Sequence, residues 1–177
     1  MKKRIIGLIP ARMGSSRFPG KPIVNICGKP MIYWVYNQAR QVEELDEIYV
    51  VTEDEVIAEK CKQFNIPYWI EKQKCAVAAE RLSYASRKIE EDLYLNIQGD
   101  EPLIDPRAIK QIIDAMLADD NIYYLGLRSQ IKTRDEFMDR NVVKAVIDKN
   151  EYAMYFSRSP IPCTYDTKNA FRVLGLY

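Results

Sequence analysis

Residues 11–22, ARMGSSRFPGKP, bring together the parts of an anion cradle. Gly14 permits close approach of the backbone, Ser15 and Ser16 offer hydroxyls and amides, and Arg12, Arg17 and Lys21 supply positive charge. Pro22 follows Lys21, so the stretch is not GxxxxGK[ST], and it is not GxGxxG either. A triphosphate with about four negative charges needs such compensation, part of it commonly from a divalent cation. Pro19 and Pro22 stiffen the stretch and lower the entropy lost when it closes on a ligand. The plainer alternative is a basic surface turn.

A second group stands at residues 96–105, NIQGDEPLID. An apolar run ends at Gln98-Gly99 and is followed at once by Asp100 and Glu101. An aspartate where a parallel strand leaves its sheet is placed to ligate Mg²⁺ across phosphates; an ordinary acidic turn is the alternative. Asp105-Pro106 has the form of a helix N-cap and first turn. Glu80 and Arg81 fall in the first turn of a helical pattern, where spacing alone favours a surface ion pair. Lys144 interrupts an apolar run and must be paired or belong to a site, because a buried polar group needs partners. Tyr152, Tyr155 and Phe156 suit a core or an interface better than a base-stacking platform.

The bulk composition narrows the chemistry. A chain of 177 residues, 47% hydrophobic and 29% charged, suits one globular domain with a sizeable core. Net charge is +1, so no global field recruits nucleic acid or an anionic membrane, and neither is expected as a partner. The cations are uneven, however. Lys2, Lys3, Arg4, Arg12, Arg17, Lys21, Lys29 and Arg40 all precede the first acid, Glu43, which suits a small polyanionic ligand. There is no histidine, which removes Ser-His-Asp and Cys-His catalysis and histidine metal ligands together. Cys27, Cys61, Cys75 and Cys163 lack ligand-like spacing and read as free thiols. The opening MKKRIIGLIPARMG resembles the start of a signal peptide, but its apolar run is short and ends at Pro10 and Arg12. No stretch approaches the roughly 18 apolar residues of a membrane span, and a cytoplasmic protein is expected.

The elements that must position these residues alternate. Apolar runs at 4–10, 47–52, 67–71, 93–98, 122–129 and 141–148 read as strands. Helical spacing marks 30–41, 54–64, 78–91 and 105–119. Such alternation predicts right-handed βαβ units on a mostly parallel sheet, with ligands beyond the carboxyl ends of the strands. The loops after Pro10, Thr52, Ile70 and Gln98 are then expected to share one cleft.

Three blocks, IPARMGSSRFPGKPIVNICGKPMI, NIQGDEPLID and NVVKAVIDKNEYAMYFSRSPIP, resemble signature blocks of the 3-deoxy-manno-octulosonate cytidylyltransferases, the CMP-Kdo synthetases. Those blocks read approximately IPAR-x-x-S-[ST]-R-[LF]-PGKP-L, NVQGDEP-[LM]-I and N-x-VK-V-V…YALYFSR-x-x-IP. The resemblance covers nearly the whole chain in order, and the CMP-sialic acid synthetases are more distant relatives on the same residues. It implies a three-layer α/β fold of the nucleotide-diphospho-sugar transferase type with a mixed, mostly parallel sheet, forming one domain over residues 1–177. It also implies transfer of CMP from CTP to an acidic sugar, release of pyrophosphate, Mg²⁺ as cofactor, a role in surface polysaccharide assembly, and a homodimer.

Carried over by motif position, Arg12, Ser15, Arg17 and Lys21 would hold the CTP phosphates, with Ala11, Gly14, Ser16 and Arg81 completing the nucleotide site. Arg12, Lys21 and Asp100 would be catalytic, Asp100 as the metal ligand, while Gln98 and Tyr177 would border the acceptor. Two departures accompany the match. Where the family has a block like H-x-S-G-T-[DE]-R, residues 75–81 read CAVAAER. Members also continue past the position of Tyr177 through a segment supplying a second acidic metal ligand and acceptor contacts, which residues 1–177 do not include. The altered block leaves room for a phosphate- or phosphonate-bearing acceptor, and the missing segment for a catalytically weak nucleotide-binding protein.

Overall fold

A computed structural model describes residues 3–14, 18–73, 75, 78–89, 91–166 and 168–177. The chain divides into two compact units, one running to Tyr123 together with Leu176–Tyr177, the other Tyr124–Gly175.

The first unit is built on a four-stranded sheet in which every pair is parallel. In chain order its elements are β1 (Ile5–Pro10), a 3-10 turn (Lys21–Ile23), the hairpin β2 (Asn25–Ile26) and β3 (Lys29–Pro30), and α1 (Met31–Ala39). Then follow β4 (Glu47–Thr52), α2 (Glu55–Gln63), β5 (Tyr68–Ile70), α3 (Ala78–Ser86), β6 (Leu93–Asn96) and α4 (Pro106–Ala118). The strand order is β5-β4-β1-β6, so β1 is central and has neighbours on both edges.

The apolar run of β1 has a direct cause. Ile5, Ile6, Leu8 and Ile9 are each at most 2% exposed because both faces of the strand are covered. Ile6 and Leu8 pack with Val51 of β4 and with Leu82 and Ala85 of α3. On the opposite face, Ile9 and Ile32 of α1 converge on Gly99. The result is helix, sheet and helix in three layers, as expected. Each isoleucine or leucine so buried contributes about 1.5–3 kcal/mol. α4 begins as read: the Asp105 carboxylate accepts the Arg107 N–H at 2.9 Å, and Pro106 occupies the first turn.

The second unit holds a separate four-stranded sheet, antiparallel throughout, in the order β7-β10-β8-β9. Its elements are β7 (Arg128–Gln130), α5 (Arg134–Met138), β8 (Lys144–Ile147), β9 (Ala153–Ser157) and β10 (Phe171–Val173). Ile131, Phe137 and Ala170 form its core, with Val142 and Tyr165 packed against them. The strand expected over 122–129 forms only from Arg128, and Tyr123 and Tyr124 before it are 91% and 70% exposed. β9 is an edge strand whose Met154, Tyr155 and Phe156 are all exposed, so the aromatic set is not core within this chain.

Lys144 is wholly buried in β8, and its ammonium donates to the main-chain carbonyls of Asp139, Val142 and Arg158 at 2.7, 2.9 and 2.9 Å. Of the two readings open for this lysine, the paired one holds. Burial pushes its pKa below the usual 10.5, a shift that Asp139 opposes and Arg158 assists. Among the described residues no helix is long and apolar enough to cross a membrane.

Candidate functional site

The carboxyl ends of β1, β4 and β6 bring the expected loops together. After β1 the cationic loop turns over the sheet: the Ala11 N–H donates to Val51 O at 3.0 Å, and the Met13 N–H to the Asp54 carboxylate at 2.7 Å. Gly20 then closes it, donating its N–H to Met13 O at 3.1 Å. Gly20 has φ +72°, a conformation that side-chain-bearing residues adopt at a cost. Buried Pro22 holds the following 3-10 turn, which directs Lys21 across to the second motif. Arg12 and Gly14 are exposed on this loop. A Cβ at Gly14 would meet no described atom within 4 Å. Ser15, Ser16 and Arg17 lie outside the described residues.

The Lys21 ammonium donates to an Asp100 carboxylate oxygen at 2.6 Å, joining the cationic loop to the turn after β6. Their side chains are 34% and 48% exposed, a setting in which an ion pair is worth only about 0–1 kcal/mol. The pair therefore does little for stability, and both partners remain within reach of a ligand. Gly99 explains how the second turn comes so close. A Cβ built there would stand 2.6 Å from the Pro10 carbonyl oxygen, inside any tolerable contact, and that oxygen belongs to backbone. Gly99→Ala must push the two loops apart, with an expected stability cost of about 1–3 kcal/mol and a matching loss of turnover. A Gly99→Ala variant with unchanged urea midpoint and unchanged rate would contradict that packing.

Arg81 departs from the surface ion pair that spacing favours. Its side chain is 2% exposed on α3, with Nη2 at 3.0 Å from a Glu53 carboxylate oxygen just beyond β4. Nη1 is buried and has no hydrogen-bond partner among the described residues. A buried cation with a spare donor is costly unless something else completes it. The two residues expected at the acceptor also meet: the Gln98 amide donates to the Tyr177 hydroxyl at 3.4 Å. Tyr177 is drawn there by its main chain, which accepts from the Asn96 N–H at 2.6 Å, and by the bridge between Ile97 and Leu176.

Several residues beside these were not singled out by sequence reasoning. Asn96, 4% exposed, leaves both side-chain amide atoms without a partner among the described residues. Glu71, 1% exposed after β5, accepts from the Gln73 N–H at 3.1 Å and from Lys88 of the α3 exit at 3.3 Å. Burial pushes the Glu71 carboxyl up, but these hydrogen bonds and the Lys88 charge outweigh it and hold it below the usual 4.5. Signals for these residues existed. Asparagine ending an apolar strand, and acids directly after strands, stand where an open α/β sheet binds ligands. In the altered block, burial pushes the Cys75 thiol up, Arg81 pulls it down, and Glu80, Glu53 and Glu71 push it up again. It stays a thiol at neutral pH and is no thiolate nucleophile. Ala76 and Val77 lie outside the described residues.

Among the described residues no group of three or more acids or cysteines forms a ready metal cage. Asp100 contributes a single carboxylate at this edge of the sheet, bonded to the Lys21 ammonium.

A parallel sheet with helices on both faces and a cationic loop at its carboxyl edge is the architecture that solved nucleotidyltransferase structures share with this chain. The solved structure of CMP:2-keto-3-deoxy-manno-octonic acid synthetase complexed with CTP superposes with a TM-score of 0.90 at 35% identity, covering 98% of this chain and 72% of that one. The family model described as cytidylyltransferase matches residues 6–176. A 3-deoxy-manno-octulosonate cytidylyltransferase of Trichlorobacter lovleyi is 40% identical over 159 residues, 90% of this chain and 63% of its own length. An 8-amino-3,8-dideoxy-manno-octulosonate cytidylyltransferase of Shewanella sp. (strain W3-18-1) is 41% identical over 179 residues, 98% of this chain and 73% of its own length. The chain belongs to the cytidylyltransferase family, in the company of the 3-deoxy-manno-octulosonate (CMP-Kdo) enzymes. It spans less than two-thirds of the length of several of them, 63% in the Trichlorobacter protein.

Proposed function

We propose that the protein transfers CMP from CTP to Kdo or a related acidic ulosonic acid, releasing pyrophosphate, as a step in surface polysaccharide assembly. The observation that carries this reading is the 2.6 Å contact between Lys21 and Asp100, which joins a phosphate-type loop to a cation-type carboxylate. An acceptor hydroxyl attacks the α-phosphorus in line and gives up its proton to solvent, a new oxygen–phosphorus bond forms, the bond to the oxygen bridging to the β-phosphorus breaks, and pyrophosphate leaves with the electron pair. The chain's part is positioning and neutralising negative charge, which needs no histidine. Arg12 and Lys21, with Ser15, Ser16 and Arg17 of the same loop, hold the triphosphate, and Ala11 and Gly14 give it room. Arg81 contacts the nucleotide side of the cleft, while Gln98 and Tyr177 border the acceptor. Asp100 is the residue that would hold Mg²⁺, which would supply further charge neutralisation to the triphosphate. Lys21, which donates to Asp100 in this structure, is also the cation of the loop that would face the phosphates.

The same reading takes the protein as cytoplasmic and as a homodimer, the dimer because β9, an edge strand among the described residues, exposes Met154, Tyr155 and Phe156 that a second copy would cover. The test is pyrophosphate release with Mg²⁺, each of four nucleoside triphosphates, and Kdo, its 8-amino analogue and phosphorylated acceptors, with the mass in solution read by light scattering. Release with CTP and an ulosonic acid is expected, from a particle of two chains. Release only with a phosphorylated acceptor would move the acceptor class. Binding of CTP without release would leave a nucleotide-binding protein, and a single-chain mass would remove the dimer.

A further inference from the structure

The turn between β4 and α2 spends its two carboxylates in an unusual way. Thr52, wholly buried at the end of β4, accepts the Asp54 N–H on its hydroxyl at 3.0 Å and so fixes the turn. The consecutive acids Glu53 and Asp54 then reach different elements. Glu53 pairs with Arg81 of α3 at 3.0 Å, and Asp54 accepts the Met13 N–H of the cationic loop at 2.7 Å. Asp54 occupies the N-cap position of α2, where its own carbonyl accepts the Ile57 and Ala58 N–H groups at 3.0 and 3.1 Å. An aspartate there ordinarily turns its carboxylate onto the first free amides of the helix. This one makes no such cap and goes instead to a residue 41 positions away.

We propose that Glu53 and Asp54 are positioning residues, a two-carboxylate bracket that holds the cationic loop and Arg81 in one ligand-ready arrangement without touching the nucleotide. The inference rests on the cytidylyltransferase reading above. Its logic is electrostatic as well as geometric. The loop is rich in cations, Arg12 and Lys21 among them, and a carboxylate bonded to the Met13 amide both anchors that loop and offsets its charge. Glu53 does the same for Arg81, leaving Nη1 as the donor that a ligand can complete. Because both acids leave one turn, a displacement of that turn disturbs both binding elements together.

The test compares the parent chain with Asp54→Ser, Asp54→Asn and Glu53→Gln, reading the CTP dissociation constant by calorimetry, KM and kcat, and thermal unfolding. Serine keeps a helix N-cap but is too short to reach Met13, whereas asparagine keeps an acceptor oxygen at the right length. Asp54→Ser is expected to weaken CTP binding about tenfold, the loss of one charge-assisted hydrogen bond, with KM rising more than kcat falls. Asp54→Asn is expected to restore most of that loss, and Glu53→Gln to weaken binding a few-fold. A merely structural turn would lower the unfolding temperature and leave CTP affinity within about twofold in every folded variant, which would overturn the bracket while leaving the cytidylyltransferase reading intact. A parent chain that binds no CTP would remove both.

Discussion

Asp100→Asn is expected to lose about a hundredfold or more in kcat, with little change in folding stability. Asparagine keeps the size of the side chain and an oxygen that can still accept from Lys21, but it removes the negative charge. The stability term is small because the Lys21–Asp100 pair is partly exposed, where such pairs contribute about 0–1 kcal/mol. The rate term is large because Asp100 is the carboxylate that the cationic loop reaches, and a hard cation is held by charge rather than by shape. The measurement is pyrophosphate release alongside urea unfolding. A variant that folds normally and turns over at the parental rate would refute the role given to Asp100. One that turns over slowly and has also lost several kcal/mol of stability would show that Asp100 acts on the fold instead.

Lys144→Met is expected to cost about 3–5 kcal/mol of folding stability, the range for breaking a fully buried, fully bonded charged group. Methionine fills a similar volume, so the loss reports the carbonyls of Asp139, Val142 and Arg158 left without a donor rather than a cavity. The check is the urea midpoint of the variant against the parent, and a change under about 1 kcal/mol would contradict it. The result bears on how the motif itself is understood. The lysine of NVVKAVID lies in one of the blocks that carry the family resemblance, yet its three donors are all used on main-chain carbonyls. In this chain it is a tie between the β7-β10-β8-β9 sheet and its flanking turns.

Much of the parallel unit was legible before any coordinates. β1, β4 and α4 lie within a residue or two of where periodicity puts them, because strands buried on both faces are continuous apolar runs and Asp-Pro is a strong helix start. The antiparallel unit was harder to read. β7 and β10 are three residues long, and β9 is exposed on its outer edge, so neither a long apolar run nor a clean alternation marks them. The site shows the same division. Loop composition pointed to Arg12, Lys21 and Asp100 because anion and cation binding demand particular side chains. Spacing alone pointed to a surface ion pair for Arg81, whose burial depends on α3 lying across β1 and β4.

What the sequence determined by itself is the inventory: a cation-rich, acid-free opening segment, acids placed directly after apolar strands, and an alternation that requires a parallel sheet. Partnership was decided only by the tertiary structure. Lys21 and Asp100 are 79 positions apart and meet because β1 and β6 are neighbours in the sheet, with Gly99 allowing one loop onto the other. Glu53 and Asp54, adjacent in the chain, part to serve Arg81 and Met13 because β4 ends between those two elements. Local preference selects strand, helix and turn within a few residues, whereas a charge finds its partner through strand order and crossover, which depend on how the whole unit buries its apolar faces.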